Sequence, residues 1–365
     1  MPRKLTQRLD WTLLLTVLLL ATIGCLMIYS ATRAQGGAHK LVLQLVWLAL
    51  GLVVLASVTV VDYSRLVNLA VPFLGLCIFL LVVVLFTGHL VKGAERWIPL
   101  GPINIQPAEL LKLALILFLG GFLASREEEA HDFGLVLTSL AYVGVPSLLV
   151  LAQPDLGTPV LLFLVWLTML FVAGSRVLHL GAIAFAFIML FTAAWGLDII
   201  RPHQKERLTA FMNPDADPHG QGWQLKQSLI AIGSGHLVGQ GLFKGTQSRL
   251  QFVPDQETDF VFTVVGEELG FVGSVAVLGL FGLVLYRALS IAAAAKDTAG
   301  RLIASGIAAM LLVHILVNVG MTLGMMPVKG MPLPFVSYGG SSMLTMMAAV
   351  GLLQSVHIHR QKITF

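Results

Sequence analysis

The chain alternates between long apolar stretches and short polar connections. Each stretch approaches or exceeds the length of about 20 residues that crosses a bilayer as a helix. The predicted spans are 11–31, 41–61, 66–87, 107–124, 134–152, 157–173, 178–198, 259–286, 301–325 and 340–357. We therefore predict an all-α, polytopic membrane protein with about ten transmembrane helices, forming a single membrane domain over residues 1–365.

The composition agrees with a membrane protein and excludes an ordinary soluble domain. Hydrophobic residues make up 57% of the chain and charged residues 12%, whereas soluble domains carry about 25% charged residues. Cys25 and Cys77 fall inside apolar spans, so we interpret them as small buried hydrophobic side chains. The first span is long and lacks a small-residue cleavage site, so we expect it to remain as an anchor.

The distribution of Lys and Arg predicts the orientation in the membrane. The formal net charge is +4, and basic connections are ordinary in membrane proteins, so this charge does not indicate a nucleic acid partner. If the N-terminus is cytoplasmic, most basic residues of the short connections fall on the cytoplasmic side. Both termini are therefore predicted to be cytoplasmic.

One connection is much longer than the others. Residues 199–258 separate the seventh and eighth spans, on the predicted outer face. They include amphipathic pieces such as GWQLKQSLIAIGSG (222–235). Long ordered loops usually carry function.

Three carboxylates crowd the end of this loop in PDQETDF (254–260). On a continuous helix Asp255 and Asp259 would share a face. Asp255 and Glu257 can be explained as residues that begin a helix and complement its dipole. Asp259 lies next to the apolar run, where an ionisable group is a functional candidate. Glu267 and Glu268 lie two turns deeper and need buried partners or a polar cavity.

A second polar cluster precedes and begins the fourth span, in GAERWIPLGPINIQPAELLK (93–112). Glu109 and Lys112 are three residues apart on one helix face. They can form a self-neutralising pair that lowers the free energy cost of membrane insertion. Alternatively, they line an outward-facing polar cavity, with Arg96 on the same side.

A third cluster, NVGMTLGMMPVKGMPLPFVSYGGSS (318–342), interrupts the membrane pattern with prolines and glycines. Non-helical backbone at membrane depth must line a cavity or be buried in protein. Backbone N–H groups around Gly339, Gly340 and Ser341 are candidates for holding an anion. A purely structural turn is the alternative.

Metal binding has only weak support in the sequence. NPDADPHG (213–220) contains Asp-x-Asp, but a run rich in Pro, Gly and Asp is more typical of a turn. His203, His219 and His236 share the long loop without metal-ligand spacing. A divalent cation, Mg or Mn, is plausible near Asp259, but its ligands are unknown.

Taken in order, the polar clusters make the chain resemble the SEDS family (shape, elongation, division and sporulation) of peptidoglycan glycosyltransferases. The resemblance covers nearly the whole chain and rests on GAERW, QPAELLK, QPDLGT, IGSGHLVGQGLFKGTQS, TDFVFTVVGEELG and GMPLPFVSYGGSS. GTQSRLQFVPD is more similar to the RodA (elongation) branch than to the FtsW (division) branch. The family motif usually reads Pro-Glu-x-His-Thr-Asp-Phe, and its essential Asp matches Asp259. Here Asp255 replaces the usual Glu and Glu257 the usual His, which puts a role for the family's histidine in doubt.

The resemblance implies polymerisation of lipid II at the outer face of the cytoplasmic membrane, with inversion at the anomeric carbon. It implies that Asp259 takes the proton of the attacking sugar hydroxyl. Stabilisation of the departing pyrophosphate then falls to outer-face cations. The candidate substrate-binding residues are Arg96, Glu109, Lys112, Lys244, Arg249, Lys329, Ser337, Gly339, Gly340 and Ser341. The supporting residues are Asp155, Asp255, Glu257, Glu267 and Glu268.

The resemblance also implies protein partners. The expected partner is a class B penicillin-binding transpeptidase that crosslinks the glycan, together with other membrane proteins of the elongation complex.

Two other functions are compatible with buried charges and broken helices. A lipid II flippase would also show them, although the polar clusters gather on one face rather than at the midplane. A scaffold that only recruits the transpeptidase is the other alternative, and it predicts that changing Asp259 is harmless.

Overall fold

A computed structural model describes residues 7–33, 36–87, 89–91, 94–100, 103–153, 155–197, 205, 211–213, 220–250, 252–327 and 330–360. Its long helices are α1 (Trp11–Thr32), α2 (Ala38–Val60), α4 (Ala70–Thr87), α5 (Pro107–Ala124), α6 (Phe133–Ala152), α7 (Gly157–Ala173), α8 (Val177–Gly196), α9 (Gln221–Ser234), α11 (Val261–Ala293), α12 (Thr298–Thr322) and α13 (Gly340–Ile358). Two short helices are α3 (Tyr63–Asn68) and α10 (Thr246–Leu250).

The helices coincide with the predicted spans, which confirms the helical membrane class. Within the described residues, seven helices are long and apolar enough to cross a membrane, and α4, α7 and α8 contain shorter apolar helices. Ten crossings therefore stay a prediction. The predicted separation of the spans 134–152 and 157–173 is confirmed, because α6 ends at Ala152 and α7 begins at Gly157.

Aspartates explain where several helices begin. Asp10 accepts a hydrogen bond from the Leu13 N–H at the start of α1, and Asp297 accepts one from the Gly300 N–H at the start of α12. Asp155 accepts from the Gly157 N–H and the Thr158 hydroxyl, each at 2.8 Å, at the start of α7. A short acidic side chain at this place satisfies N–H groups that lack helical partners. The supporting residue Asp155 therefore has a helix-capping role.

Helix α12 lies in the core of the bundle. It packs against α5, α7 and α11, while α13 packs along α2. The buried side chains form one large apolar cluster that extends across these helices. Many large apolar side chains of α2, α4 and α8 are exposed instead, as expected for helices that face lipid.

Polar contacts are found at both ends of the helical bundle. At the first, here called the Asp10 end, the Arg287 guanidinium lies 2.6 Å from Asp10, and the Tyr63 hydroxyl donates to Asp297 at 2.8 Å. Ser355 donates to the Val61 carbonyl at the same end. These residues come from segments that the charge distribution places on one side. The opposite end, here called the Asp259 end, gathers the segments predicted on the other side.

A small sheet and a helix break were not predicted. Strands β1 (His89–Val91), β2 (Ala94–Leu100) and β3 (Ile103–Ile105) form an antiparallel sheet between α4 and α5. Helix α11 breaks at Gly270, whose φ of 66° and ψ of −163° are not helical. Glycine adopts such a backbone without the strain that a Cβ would add.

Candidate active site

Asp259 lies in a turn directly before α11. Residues 254–259 form turns, and the helix begins at Val261 with Phe260 at the N-cap. Asp255 and Asp259 do not lie on a continuous helix, because Asp255 has a φ of 52° and leaves the helical path, so the condition for a shared helix face is not met. The Asp259 N–H still bonds back to the Asp255 carbonyl at 3.0 Å. Asp259 therefore stands half-buried at the start of an apolar helix.

The backbone around Asp259 is held from α12. The Asn318 side-chain amide donates to the Asp259 carbonyl at 2.8 Å and to the Met331 carbonyl at 2.7 Å. The Asp259 carboxylate lies against the Gly330 backbone, where an added Cβ would come within 2.8 Å of Oδ2. Asn318 thus joins the Asp259 turn to the segment before α13. It was not among the predicted site residues, although it opens the 318–342 stretch.

Glu257 does not begin the helix as expected; it forms an ion pair. Its Oε1 lies 2.5 Å from Lys40 Nζ, at the start of α2. The Tyr338 N–H donates to the Glu257 carbonyl at 2.8 Å. Burial, and then the Glu257 charge, raise the pKa of the Tyr338 phenol, which therefore stays protonated. The helix-start interpretation also fails for Asp255, which is exposed in the turn.

Glu109 and Lys112 form a buried pair that includes a third residue. Lys112 Nζ lies 2.7 Å from Glu109 Oε1 and 3.0 Å from His314 Nε2 on α12. The Lys112 side chain is 3% exposed and that of Glu109 7%, so the pair does not line an open cavity. This geometry favours the self-neutralising interpretation. His314 was not predicted, although an ionisable residue within an apolar span is a signal for such a site.

Glu267 fastens the long loop to α11. Its carboxylate accepts hydrogen bonds from the Gln247 N–H at 2.7 Å, the Ser248 N–H at 3.1 Å and the Ser248 hydroxyl at 2.6 Å. Four N–H groups lack helical partners at the start of any helix, and Glu267 serves those of α10. The buried partners expected for this residue are confirmed.

Glu268 is fastened in a similar way. It accepts from the Ser30 hydroxyl of α1 and from the Phe243 N–H at 3.1 Å. Both acids are almost fully buried. They therefore hold the loop rather than face a substrate.

Backbone hydrogen bonds around the break in α11 also attach the long loop to this helix. The Gln240 and Gly241 N–H groups donate to the carbonyls of Glu267 and Glu268. The Phe271 N–H, freed by the break, donates to the His236 carbonyl at 2.9 Å. The loop thus replaces helical hydrogen bonds that the break at Gly270 removes.

Glycines allow the loop to approach α11 so closely. A Cβ on Gly235 would lie 2.0 Å from the Gly266 carbonyl oxygen, and one on Gly239 would lie 2.1 Å from that of Glu268. These are two of the four glycines in the IGSGHLVGQG stretch. The motif therefore has a packing role.

An apolar recess of about 250 Å³ opens beside the break. Its lining comes from α9, α11 and the end of α12 and includes Ile232, Phe262, Phe271, Val275, Leu278 and Leu323. Phe271 and Val275 are exposed on the surface of the bundle. The recess begins one residue into α11, just beyond the turn that holds Asp259.

The SYGGSS segment is fixed by α2. Gln44 Nε2 donates to the Ser337 carbonyl at 3.4 Å, and the Gly339 N–H donates to Gln44 Oε1 at 3.5 Å. A Cβ on Gly340 would lie 2.2 Å from the Trp47 ring. The Ser341 hydroxyl accepts from the Gln106 N–H at 3.1 Å. The Gly339 N–H predicted to hold an anion is thus engaged within the protein.

The remaining predicted residues differ in exposure. Lys244 and Arg249 are exposed on the long loop. Arg96 lies in β2, but its side chain, like the whole of Lys329, lies outside the described residues. Most of NPDADPHG and both His203 and His219 also lie outside them. In the described part of the chain, no three His, Cys, Asp or Glu side chains are grouped to hold a metal.

Comparisons with known proteins agree with this arrangement. The family model of the cell cycle proteins FtsW, RodA and SpoVE matches residues 10–362. The peptidoglycan glycosyltransferase MrdB of Escherichia coli K12 is 39% identical over 357 residues, covering 98% of this chain and 95% of MrdB. The probable peptidoglycan glycosyltransferase FtsW of Trichlorobacter lovleyi is 38% identical, covering 95% of this chain and 92% of its own.

A solved structure matches the fold as well. A chain of a peptidoglycan synthase complex that coordinates polymerization and crosslinking is 35% identical, with a TM-score of 0.83. The match covers 96% of this chain and 98% of that one. One conclusion follows from the helices that span the inner membrane several times, from the site around Asp259 and from these matches. This chain belongs to the FtsW, RodA and SpoVE family and is, like MrdB, a peptidoglycan glycosyltransferase.

Proposed function

We propose that this peptidoglycan glycosyltransferase polymerises lipid II, with Asp259 as general base and the Asp259 end facing outward. A sugar hydroxyl of one lipid-linked disaccharide attacks the anomeric carbon of another. The hydroxyl proton passes to the Asp259 carboxylate, the new glycosidic bond forms, and the bond to undecaprenyl pyrophosphate breaks. A single displacement of this kind inverts the configuration at the anomeric carbon.

The observation that carries the proposal is the placement of Asp259. Its carboxylate is half-buried, while its backbone is bonded to Asn318 on the central helix. A general base must be held where the reacting hydroxyl arrives. At the start of an apolar helix, Asp259 meets the head group of a substrate whose tail lies in the bilayer.

The departing pyrophosphate requires positive charge that is accessible from water. Lys112 is buried against Glu109 and His314, so it is not available for that role without rearrangement. Lys244 and Arg249 are exposed on the loop that packs against α11. We therefore assign stabilisation of the departing pyrophosphate to Lys244 and Arg249, with Arg96 and Lys329 as further candidates from the sequence. A divalent cation stays a prediction, and none of these steps depends on one.

The recess beside Gly270 suits the polyprenyl tail. It is lined mainly by apolar side chains, with His236 and Ser274 as its polar members, and it follows α11 from Phe262 to Leu278. Burial of apolar surface stabilises a bound chain by about 25 cal/mol per Å². A substrate anchored there keeps its head group at the level of Asp259.

We also propose a class B penicillin-binding transpeptidase as the partner and cell elongation as the process. The solved complex supports a crosslinking partner. The stretch GTQSRLQFVPD supports the elongation branch, while matches to both MrdB and FtsW leave the division branch as the alternative.

The deciding experiment is polymerisation of purified lipid II in detergent by Asp259→Asn. The substitution keeps the shape but removes the base, so we expect a loss of at least about 100-fold in rate. Glu128→Gln, an exposed acid at the Asp10 end, serves as the matched control. Near-normal glycan synthesis by Asp259→Asn would refute the assignment. Absence of polymer from the wild type, with transport of lipid II into vesicles, would favour a flippase.

A further inference from the structure

We propose that the Lys40–Glu257 ion pair is a positioning device for Asp259, through which the beginning of α2 sets the place of the base. The proposal rests on the assignment of Asp259 as general base. Lys40 was not among the predicted site residues, and Glu257 was predicted only as a supporting residue.

The first step is the contact itself. Lys40 Nζ and Glu257 Oε1 lie 2.5 Å apart, and the two side chains are 32% and 19% exposed. The residues are 217 positions apart in the chain. The ion pair therefore joins the start of α2 to the end of the long loop.

The second step is that α2 holds two segments of the site with one face. Lys40 and Gln44 are four residues apart, so they lie on the same side of the helix. Lys40 binds Glu257, while Gln44 binds the Ser337 carbonyl and the Gly339 N–H. The N–H of Tyr338, which lies between Ser337 and Gly339, donates to the Glu257 carbonyl at 2.8 Å. The two segments that α2 holds are therefore also bonded to each other.

The third step leads from Glu257 to Asp259. Both residues lie in the turn formed by residues 254–259, and the Thr258 and Asp259 N–H groups share the Asp255 carbonyl as acceptor. Asn318 holds the Asp259 carbonyl from the opposite side. The turn is thus fixed at two points, by α2 through Glu257 and by α12 through Asn318. A shift at Glu257 moves the backbone that carries the base.

The charges and exposure distinguish this role from simple stabilisation. A partly exposed ion pair contributes little to the free energy of unfolding. Displacement of a catalytic group by about 1 Å, in contrast, lowers the rate by about 100-fold. Loss of the pair should therefore appear in kcat and leave the melting temperature nearly constant.

The test uses the full-length protein with purified lipid II in detergent. Lys40→Gln and Glu257→Gln are each expected to lower kcat by roughly 10- to 100-fold, with little change in KM and in the melting temperature. The charge-reversed double variant Lys40→Glu/Glu257→Lys restores most of the activity, and Lys40→Arg retains most of it. Arg126→Gln removes an exposed ion pair with Glu129 at the Asp10 end and should behave as wild type.

The outcomes separate this proposal from the assignment of Asp259. Single variants with normal kcat would overturn the positioning role, as would a melting temperature that falls in parallel with the activity. Failure of the folded double variant to regain activity would overturn the ion-pair mechanism as well. Asp259→Asn is measured in the same series. If it is active, the base assignment fails; if it is inactive while the reversal does not rescue, only the positioning role fails.

Discussion

The side-chain amide of Asn318, on the central helix α12, donates a hydrogen bond of 2.8 Å to the backbone carbonyl of Asp259. The same nitrogen donates to the Met331 carbonyl at 2.7 Å. Asn318 is fully buried, so its amide has these two carbonyls, rather than water, as partners. The position of the turn that carries Asp259 is thus coupled to the core of the membrane bundle.

Asn318→Ala removes both hydrogen bonds and leaves two carbonyls without their donor. Because buried unsatisfied polar groups each cost about 1–3 kcal/mol, we expect a lower melting temperature together with a marked loss of polymerisation. Thermal unfolding and glycan synthesis in detergent measure the two effects.

Ser305→Ala provides the control on the same helix, because the Ser305 hydroxyl bonds only locally, to the Leu302 carbonyl at 3.0 Å. It should leave activity intact. Full activity of Asn318→Ala would show that α12 does not hold the turn.

Lys112→Met tests the buried pair at the start of α5. The substitution leaves Glu109 without its positive partner in a site where both residues are buried. Breaking a buried ion pair costs about 3–5 kcal/mol, so the melting temperature should fall strongly.

The double variant Glu109→Gln/Lys112→Met removes both charges, and we expect it to be more stable than Lys112→Met alone. A double variant that is equally unstable would argue that the charges serve something other than mutual neutralisation.

Gly239→Ala tests the contact between the long loop and α11. A Cβ there would lie 2.1 Å from the Glu268 carbonyl oxygen, and the φ of 82° is unfavourable for alanine. We expect the loop to separate from the helix break, with faster proteolysis at residues 235–245 and reduced activity.

Gly279→Ala, on α11, is the matched change, since an added Cβ there meets nothing within 4 Å. It should leave the proteolysis pattern unchanged. Equal proteolysis of Gly239→Ala and wild type would contradict the role of the close approach.

Val275→Trp tests the recess proposed for the polyprenyl tail. Val275 lines the recess and is 49% exposed, so a larger side chain there fills the recess without disturbing the core. We expect KM for lipid II to rise severalfold with a smaller change in kcat, measured by initial rates at varied lipid II.

Val272→Trp places the same side chain three residues away, at a position that is 60% exposed and does not line the recess. Its KM should stay near that of the wild type. If both variants behave alike, the tail binds elsewhere.

The helices were predictable because hydropathy is a local property. An apolar run long enough to cross a bilayer forms a helix, because its backbone N–H and carbonyl groups must hydrogen-bond to each other in the hydrocarbon region. The start of α7 at Gly157 and the start of α11 at Val261, close to Asp259, were predictable for the same reason. Asp259 itself was found because it is the acid nearest the apolar run and matches a family motif.

The break at Gly270 was not predictable from the same pattern. The run from Val261 to Ala293 is apolar on both sides of the break, so hydropathy indicates one continuous helix. Loop backbone supplies the N–H and carbonyl groups that the break leaves open. That partner lies about 30 residues earlier in the chain, beyond the range of any periodic pattern.

The sequence by itself determined the membrane class, the helices and the identity of the acid at the edge of α11. Only the tertiary structure decided what holds that acid: Asn318 is 59 positions away from Asp259, and Lys40 is 217 positions away from Glu257. It also decided that Lys112 is paired with His314, 202 positions away. Local preferences set the helices, but a side chain's partner depends on which segments the packed bundle brings together.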